Sequence, residues 1–162
     1  MREFIVAGRR IADDTPAWVC AEAGSNHQGS IQTAMEMIRQ AKNAGADAVK
    51  FQVRDVRSLF TTEQYDRPYD SENAFGPTYG LHREALNFNK DQLRELRDYS
   101  AALGITFFAA AFDMRSVDVL DDLDVPVIKI SSFDVRDTGL IHYAAATGRP
   151  LIISTGTADT QD

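Results

Sequence analysis

The chain has 162 residues, a length that predicts a single domain. Its net charge of −7 argues against a nucleic-acid-binding surface. The single cysteine, Cys20, excludes an internal disulfide and is consistent with a reducing compartment. The sequence opens without a secretory signal pattern, and its apolar runs fall short of the ~20 residues of a membrane span. We therefore expect a soluble, cytoplasmic protein without nucleic-acid or membrane partners.

The first elements in chain order are a hairpin and a strand–helix–strand unit. Phe4–Val6 and Arg9–Ile11 flank a short turn, which predicts a β-hairpin within residues 1–15. The apolar stretch at 17–23 predicts a strand, which the periodic pattern at 30–44 follows as a helix. Ser30 is the expected N-cap of this helix. A second buried strand is predicted at Ala48–Val53.

Residues 54–88 form a long connection that is rich in aromatic side chains and interrupted by proline and glycine. Connections of this length without secondary structure are usually functional or disordered. The aromatic content favours an ordered, lid-like loop. A helix then begins behind Asn89 and ends at Gly104, with Gln92 completing a capping box.

The remaining elements continue the alternation of strands and helices. The pattern predicts strands at 106–111, 125–130 and 150–154, a helix at 116–123 behind Ser116, and a helix between 137 and 148. Such alternation predicts a parallel sheet with right-handed crossovers. The first strand is not followed by the G-x-G-x-x-G spacing of dinucleotide-binding folds. Since an eight-stranded barrel needs about 250 residues, the sequence predicts the first five strands of a TIM (β/α)8 barrel plus the hairpin.

Polar side chains recur where the predicted strands end. Lys50 and Gln52 have the same parity on their strand and therefore point to the same face, towards the barrel interior. Lys129 ends a later strand, and two ammonium groups at one barrel mouth would neutralise a phosphate or a carboxylate. Ser132 and Ser154 add hydroxyl donors. Glu22 lies in an apolar strand, where a carboxylate is costly unless it is paired or functional.

Four separated motifs follow one another along the chain. They are Ala21-Glu22-Ala23-Gly24-x-Asn26-His27-x-Gly29, Ala46-Asp47-Ala48-Val49-Lys50-Phe51-Gln52, Lys129-Ile130-x-Ser132-Phe133-Asp134 and Ile153-Ser154-Thr155-Gly156. In order and spacing they resemble the sialic acid synthase family, which comprises N-acetylneuraminate synthase and relatives that make legionaminic, pseudaminic and spore-coat sugars. The resemblance covers almost all of residues 1–160.

This resemblance implies a TIM barrel followed by a small antifreeze-like domain, in a protein that acts as a homodimer. It implies condensation of phosphoenolpyruvate with an N-acylated amino-sugar aldehyde such as N-acetylmannosamine, with release of phosphate. A divalent metal, manganese or magnesium, is the implied cofactor. Residues 1–162 would be the N-terminal part of the barrel. The family's metal-binding histidines, later barrel units and antifreeze-like domain would lie beyond it, so no metal ligand is expected in this chain.

The resemblance also implies roles for individual residues. Glu22 takes an acid/base or orienting role, although the residues alone leave it open as an ion-pair partner of Lys50 or Lys129. Phosphoenolpyruvate contacts fall on Lys50, Lys129, Ser132 and Ser154. Gln52 and Asp134 contact the sugar, and Asp134 is also a catalytic candidate. His27 is expected to orient its loop rather than to bind metal.

The sequence departs from the family at two positions of the site. Ala110 occupies the position of a threonine whose hydroxyl contacts the phosphate, and loss of one hydrogen bond to a charged group costs about 1.5–3 kcal/mol. Asp134 replaces the more common glutamate. Together with the expected absence of the metal ligands, these differences predict that the 162-residue chain is not by itself a competent synthase; release of phosphate from phosphoenolpyruvate and an N-acylmannosamine would contradict this.

Three alternatives remain open at this stage. One is another phosphoenolpyruvate-condensing barrel that makes a 3-deoxy-sugar acid phosphate. The second is an aldolase that forms a Schiff base on Lys50 or Lys129, which borohydride would trap. The third is a non-catalytic ligand-binding or assembly module. In each case the exposed edges of a parallel sheet predict a homo-oligomer, because parallel sheets are almost always covered.

Overall fold

Two β-sheets organise the chain in the computed structural model, which describes residues 3–156 and 158–159. β1 (Glu3–Val6) and β2 (Arg9–Ala12) form an antiparallel hairpin. The second sheet is parallel and follows chain order: β3 (Cys20–Gly24), β4 (Ala48–Val53), β5 (Thr106–Ala111), β6 (Ile128–Ile130) and β7 (Leu151–Ile153). The predicted hairpin and five parallel strands are confirmed. Closure into an eight-stranded barrel stays a prediction.

Seven helices connect the strands of the described residues. They are α1 (Ile31–Asn43), α2 (Val56–Leu59), α3 (Thr62–Asp66), α4 (Tyr79–Ala85), α5 (Lys90–Leu103), α6 (Met114–Asp122) and α7 (Thr138–Ala146). A 3-10 turn at Ser132–Asp134 follows β6. Within the described part of the chain, no helix combines the length and the hydrophobicity needed to cross a membrane.

Local hydrogen bonds explain where the helices begin. The Ser30 hydroxyl accepts from the Thr33 amide, and Asn89 and Gln92 form the predicted capping box. The prediction of a Ser116 cap for α6 is wrong, because Asp113 is the N-cap and its carboxylate accepts from the Ser116 amide at 2.7 Å. A carboxylate at this position also interacts favourably with the helix dipole.

Three strands are shorter than predicted: β3 begins at Cys20 instead of residue 17, β7 covers only Leu151–Ile153, and β6 is shortened most. β6 begins at Ile128 instead of at residue 125, although Val125 and Val127 are both buried. Pro126 lies between them and has no N–H for a strand ladder, which explains the late start of pairing. The apolar pattern therefore identified buried residues correctly and the strand boundary incorrectly.

One face of the parallel sheet is buried under the helices, and the other is covered at one end. Phe51 of β4, Phe107 of β5 and Ile128 of β6 point to the helix layer and pack in the main core, which includes Ile38 of α1 and Leu96 of α5. A smaller cluster covers the amino-terminal end of the other face. Its members are Val6, Ala48, Phe108 and Val127, with Ile11, Trp18, Cys20 and Ile152 packed against them. The hairpin therefore forms the floor beneath this second face.

The prediction of an irregular loop at 54–88 is wrong in part, because the segment contains α2, α3 and α4. Their starts are capped by the side chains of Asp55, Thr61 and Thr78. The buried Tyr65 of α3 lies against Gly80 of α4, and the buried ring of His82 contacts Tyr69. The prediction considered the aromatic residues, prolines and glycines of this stretch and overlooked the polar residues that cap its short helices.

A substitution of Gly80 tests whether this segment is packed as described. A Cβ at residue 80 would lie 2.1 Å from Cδ2 of Tyr65, so we expect Gly80→Ala to destabilise the protein by about 1–3 kcal/mol. Helix propensity alone predicts the opposite sign. Urea unfolding together with limited proteolysis within 54–88 measures the effect.

The matched control is Gly139→Ala in α7, where the nearest side-chain contact of a new Cβ is 3.3 Å, to Asp137 Oδ1. This variant should retain or gain stability. If Gly80→Ala were as stable as the wild type and cleaved no faster, the close packing of Tyr65 on α4 would be refuted.

Candidate active site

The register of the parallel strands brings the predicted site residues to one face. Lys50 of β4 pairs with Glu22 of β3 on one side and with Phe108 of β5 on the other. Ala110 of β5 pairs with Gln52 on one side and with Lys129 of β6 on the other. Side chains at paired positions point to the same face. Glu22, Lys50, Gln52 and Lys129 thus share the face whose floor contains Phe108.

Lys50 and Glu22 form an ion pair across β3 and β4. The Lys50 side chain is 14% exposed and the Glu22 side chain is 50% exposed. The expectation that Glu22 is buried is therefore wrong. β3 lies at the edge of the described sheet and has a neighbour on one side only, so the carboxylate extends over Lys50 and remains open to solvent.

The two lysines influence each other electrostatically. Burial lowers the pKa of Lys50, and the positive charge of Lys129 acts in the same direction. The interaction with Cys20 opposes this shift. Burial also lowers the pKa of Lys129, against the opposing effect of Asp134. Together they form a partly dehydrated, positively charged centre.

The turn after β6 places Asp134 beside this centre. Its carboxylate accepts a hydrogen bond from Ser131 Oγ at 2.5 Å. Burial raises the pKa of Asp134, and the Ser131 hydrogen bond opposes the shift. A carboxyl group with a raised pKa is better able to hold and to donate a proton near neutral pH.

The two predicted serines lie on neighbouring turns. Ser132 begins the 3-10 turn, and a Cβ on Gly156 would be 3.7 Å from the Ser132 Cβ. Ser154 directly follows β7, where its amide donates to the carbonyl of Ile130 at 3.1 Å. On β7, Ser154 has the parity of Ile152, which pairs with Lys129. It therefore continues the face that carries the lysines.

Gln52 lies between the ion pair and an arginine that the sequence analysis missed. Its Oε1 accepts from Ser25 Oγ at 3.3 Å and from Arg54 Nη2 at 2.5 Å. The Arg54 guanidinium also lies 3.8 Å from the ring centroid of Phe112. Burial lowers the pKa of Arg54 to about 10, with the charge of Arg83 acting in the same direction. Strand parity could have identified it, because Arg54 continues the series of every second residue that begins with Lys50 and Gln52.

Gly24 leaves room for the acidic and amide side chains at the end of β3. A Cβ at this position would lie 3.3 Å from Glu22 Oε1 and 3.6 Å from Gln52 Nε2, and the residue has a φ of +56°. A larger residue would press on both groups and strain the backbone. The glycine of the first motif therefore allows Glu22 and Gln52 to approach each other.

His27 supports the same loop from within the core. It is 2% exposed, stacks on Phe88 at 4.1 Å between ring centroids, and accepts from the Gly29 amide through Nδ1. Burial lowers its pKa to about 4, while a hydrogen bond to the Gly24 backbone opposes the shift. These contacts fit the predicted orienting role.

Residues 3–156 and 158–159 contain no group of three or more His, Cys, Asp or Glu residues arranged to hold a metal ion. The described residues therefore do not form a site for the divalent metal that the resemblance implies. Burial also raises the pKa of the Cys20 thiol, which disfavours a nucleophilic thiolate there.

A model of the NeuB family matches residues 37–162. The chain belongs to the NeuB family. It is 40% identical over 149 residues to N-acetylneuraminate-9-phosphate synthase of Homo sapiens, covering 92% of this chain and 42% of the human protein. It is 43% identical over 152 residues to the synthase of the same name from Drosophila melanogaster, covering 94% and 40%. The face that carries Lys50 and Lys129 therefore lies within the part of the chain that the NeuB model matches.

A solved structure resembles the chain along nearly its whole length. The N-acetylneuraminic acid synthetase of Leptospira borgpetersenii superposes with a TM-score of 0.83 at 29% identity, covering 99% of this chain and 52% of that one. The chain spans about two fifths of the length of the human and Drosophila relatives. These relatives are named as synthases of N-acetylneuraminic acid or of its 9-phosphate.

Because His27 is buried, the free energy of unfolding is expected to fall as the pH is lowered. The unfolded chain binds a proton near pH 6.5, whereas the folded chain does so only near pH 4. The contribution of neutral His27 is therefore complete above pH 6.5 and decreases by up to about 1.4 kcal/mol per pH unit as the pH falls towards 4.

We expect the difference in unfolding free energy between the wild type and His27→Gln to shrink between pH 6.5 and pH 4 in urea titrations. The control is His142→Gln, since His142 lies on an exposed position of α7. A difference for His27→Gln that stayed constant over this interval would contradict the assigned protonation state.

Proposed function

We propose that the protein containing this chain condenses phosphoenolpyruvate with an N-acylated amino-sugar aldehyde, giving a nonulosonic acid and phosphate. The observation that carries the proposal is the convergence of Lys50 and Lys129 on one face, beside Glu22 and Asp134. Membership in the NeuB family supports the same reaction class. Because the chain spans only part of its relatives, the activity is proposed for the whole protein.

Phosphoenolpyruvate carries a phosphate and a carboxylate, which suit the two lysines. We infer that Lys50 and Lys129 bind these groups as point charges, and that Ser132 and Ser154 donate hydrogen bonds to them. Partial burial strengthens such interactions because the local dielectric is lower than in water. The Glu22 carboxylate would give up part of its contact with Lys50 when the anion binds.

The reaction forms a C–C bond between the substrates and a C–O bond to water, and it breaks the C–O bond to phosphate. The enol carbon of phosphoenolpyruvate attacks the aldehyde carbon. The π electron pair of the C=O bond moves onto the aldehyde oxygen, which takes up a proton. Water then adds to the resulting oxocarbenium carbon and loses a proton. The tetrahedral intermediate collapses to the ketone and expels phosphate.

Two carboxyl groups are placed to move these protons. Asp134 has a pKa raised by burial and is our candidate donor to the aldehyde oxygen, with Gln52 holding the sugar. Glu22 is half exposed and ion-paired with Lys50, which suits an ionised group that orients or deprotonates the attacking water. Both assignments extend the predicted roles of these residues.

The names of the relatives leave two kinds of sugar open. The human and Drosophila relatives are named for a 9-phosphate product, and the Leptospira structure for the unphosphorylated acid. Phosphoenolpyruvate contributes three carbons, so a 9-phosphate product corresponds to a sugar phosphorylated at carbon 6. We propose that the aldehyde is of the N-acylmannosamine type.

A Schiff-base aldolase is the second candidate, since burial lowers the pKa of both lysines. An imine-forming amine must be neutral, and a lowered pKa favours that form. Borohydride reduction in the presence of a keto acid separates the two, because only the aldolase would be trapped covalently on Lys50 or Lys129.

Three further properties are proposed from the resemblance. They are a divalent metal cofactor, manganese or magnesium, to which no residue of this chain is assigned; a homo-oligomeric state; and a cytoplasmic location. Sedimentation of the protein at high concentration as a stable monomer would contradict the second.

Charge removal tests the anion-binding role of the lysines. Lys50→Met and Lys129→Met should each weaken phosphoenolpyruvate binding by about 10- to 100-fold, the equivalent of about 1.5–3 kcal/mol for a hydrogen bond to a charged group. Isothermal titration calorimetry measures the affinity. Lys90→Met is the matched control, because Lys90 is ion-paired with Asp122 and lies on the helix side.

Equal affinity in all three variants would refute this binding site. The reaction itself is tested by release of phosphate from phosphoenolpyruvate in the presence of N-acetylmannosamine or its 6-phosphate. Absence of release with both sugars by the whole protein that contains this chain would refute the proposed function.

Restoring the missing hydroxyl gives a prediction in the opposite direction. Ala110 pairs with both Gln52 and Lys129, so Ala110→Thr would place a donor beside Lys129. We expect phosphoenolpyruvate to bind about 10-fold more tightly. Ala110→Val controls for side-chain shape without the hydroxyl, and an identical effect of Val and Thr would exclude the hydrogen bond as the cause.

A further inference from the structure

The turn after β5 holds the backbone that leaves β4. The Asp113 carboxylate accepts through Oδ2 from the Asp55 amide and from the Ser116 hydroxyl, both at 2.8 Å, and through Oδ1 from the Ser116 amide at 2.7 Å. The last residues of β4 and β5, Val53 and Ala111, are register partners, so this side chain bridges two neighbouring strand ends. Asp113 therefore does more than cap α6, because a cap needs only the amide of Ser116.

A second side chain holds the same peptide unit. Asn87, which follows α4, donates from Nδ2 to the carbonyl of Arg54. The Arg54 carbonyl and the Asp55 amide belong to one peptide unit, so side chains from two other segments satisfy both of its hydrogen-bonding groups. The Arg54 guanidinium also lies over the ring of Phe112, the residue before Asp113. The backbone and the side chain of Arg54 are therefore both fixed by neighbouring segments.

Arg54 in turn determines which atoms Gln52 presents. Gln52 Oε1 accepts from Arg54 Nη2 at 2.5 Å and from Ser25 Oγ at 3.3 Å. A guanidinium has donors only, so this contact fixes which end of the amide faces it. The Nε2 group lies near Gly24, where a Cβ would be 3.6 Å away. Among the described residues, Nε2 of this half-buried amide has no hydrogen-bond acceptor.

We propose that Asp113 and Asn87 are positioning residues for the sugar. They act through Arg54 and hold the Gln52 amide so that its NH2 group, and not its oxygen, meets the substrate. The inference rests on the proposed function and deepens it, because it assigns to Gln52 an acceptor oxygen of the sugar, either a hydroxyl or the N-acyl carbonyl. A preorganised amide binds such an oxygen without the entropy cost of ordering the side chain.

Asp113→Ser separates the two contacts of this carboxylate. Serine is a good N-cap for α6, but its shorter side chain cannot also accept from the Asp55 amide. In the whole protein, hydrogen exchange of peptides that cover 53–57 should be faster in this variant, and kcat/KM for the amino sugar should fall by about 10-fold. The affinity for phosphoenolpyruvate should stay within a few-fold of the wild type, because both lysines are retained. Asn87→Asp, which removes the donor to Arg54, should give the same pattern.

Asn89→Ser is the matched control. Asn89 caps α5 through the amide of Gln92, so this variant also exchanges a cap residue for serine but leaves the peptide unit after β4 with its partners. It should change neither hydrogen exchange at 53–57 nor kcat/KM. An equal loss of kcat/KM in Asn89→Ser and Asp113→Ser would indicate a general effect on stability and would refute the positioning role.

A double-mutant cycle tests whether the effect passes through Gln52. In the Gln52→Ala background, the addition of Asp113→Ser should cause almost no further loss of kcat/KM for the sugar. An undiminished 10-fold loss would exclude action through this amide. Gln52→Glu keeps an oxygen towards Arg54 but has no NH2 group, so it should raise the KM for the sugar. An unchanged KM in this variant would contradict the donor role.

Failure of this inference differs from failure of the proposed function. If the wild type is active and either hydrogen exchange at 53–57 or kcat/KM is unchanged in Asp113→Ser, the inference is refuted and the function stands. If the wild type turns over neither N-acetylmannosamine nor its 6-phosphate, the proposed function fails, and calorimetry with these two sugars decides the inference. Weaker binding to Asp113→Ser than to Asn89→Ser would support it, and absence of binding to the wild type would refute it.

Discussion

The parallel register that places Glu22, Lys50 and Lys129 on one face is the constraint on which the site depends. Two ammonium groups on a partly buried surface repel each other, and each loses hydration. The ion pair with Glu22 compensates one of them. Under the proposed function, a phosphate and a carboxylate from the substrate would compensate both, so that Glu22 becomes free to act on water. Anion binding and base activation would then be one event.

The hairpin supports the face that carries the lysines, although it lies at the opposite end of the strands. Val6 joins Phe108 and Val127 in the cluster that closes the amino-terminal end of the lysine-bearing face, and the rings of Trp18 and Phe108 are 5.5 Å apart. Phe108 is also the register partner of Lys50. The apolar floor thus lies next to Lys50 along the sheet, and burial lowers the pKa of both lysines. A partly buried ammonium group interacts more strongly with an anion than one in water does.

Strand parity is what made the site predictable from the sequence. Lys50, Gln52 and Lys129 fall on one face because side chains alternate along a strand, and parallel strands place their carboxyl ends together. Two other features of the site were harder to predict. Glu22 is exposed because its strand has one neighbour in the described sheet, a tertiary fact that no local pattern contains. Arg54 was missed because it follows the last residue of β4 and its contact with Phe112 joins two loops.

The segment at 54–88 shows how such contacts fix the position of short helices. Its three short helices are capped locally, but they are fixed in place by Tyr65 against Gly80 and by His82 among aromatic rings. Arg83 and Tyr79 therefore project from a packed helix, α4, rather than from a loop that must order itself around a ligand. A surface that is already packed avoids the entropy of ordering when it binds a ligand.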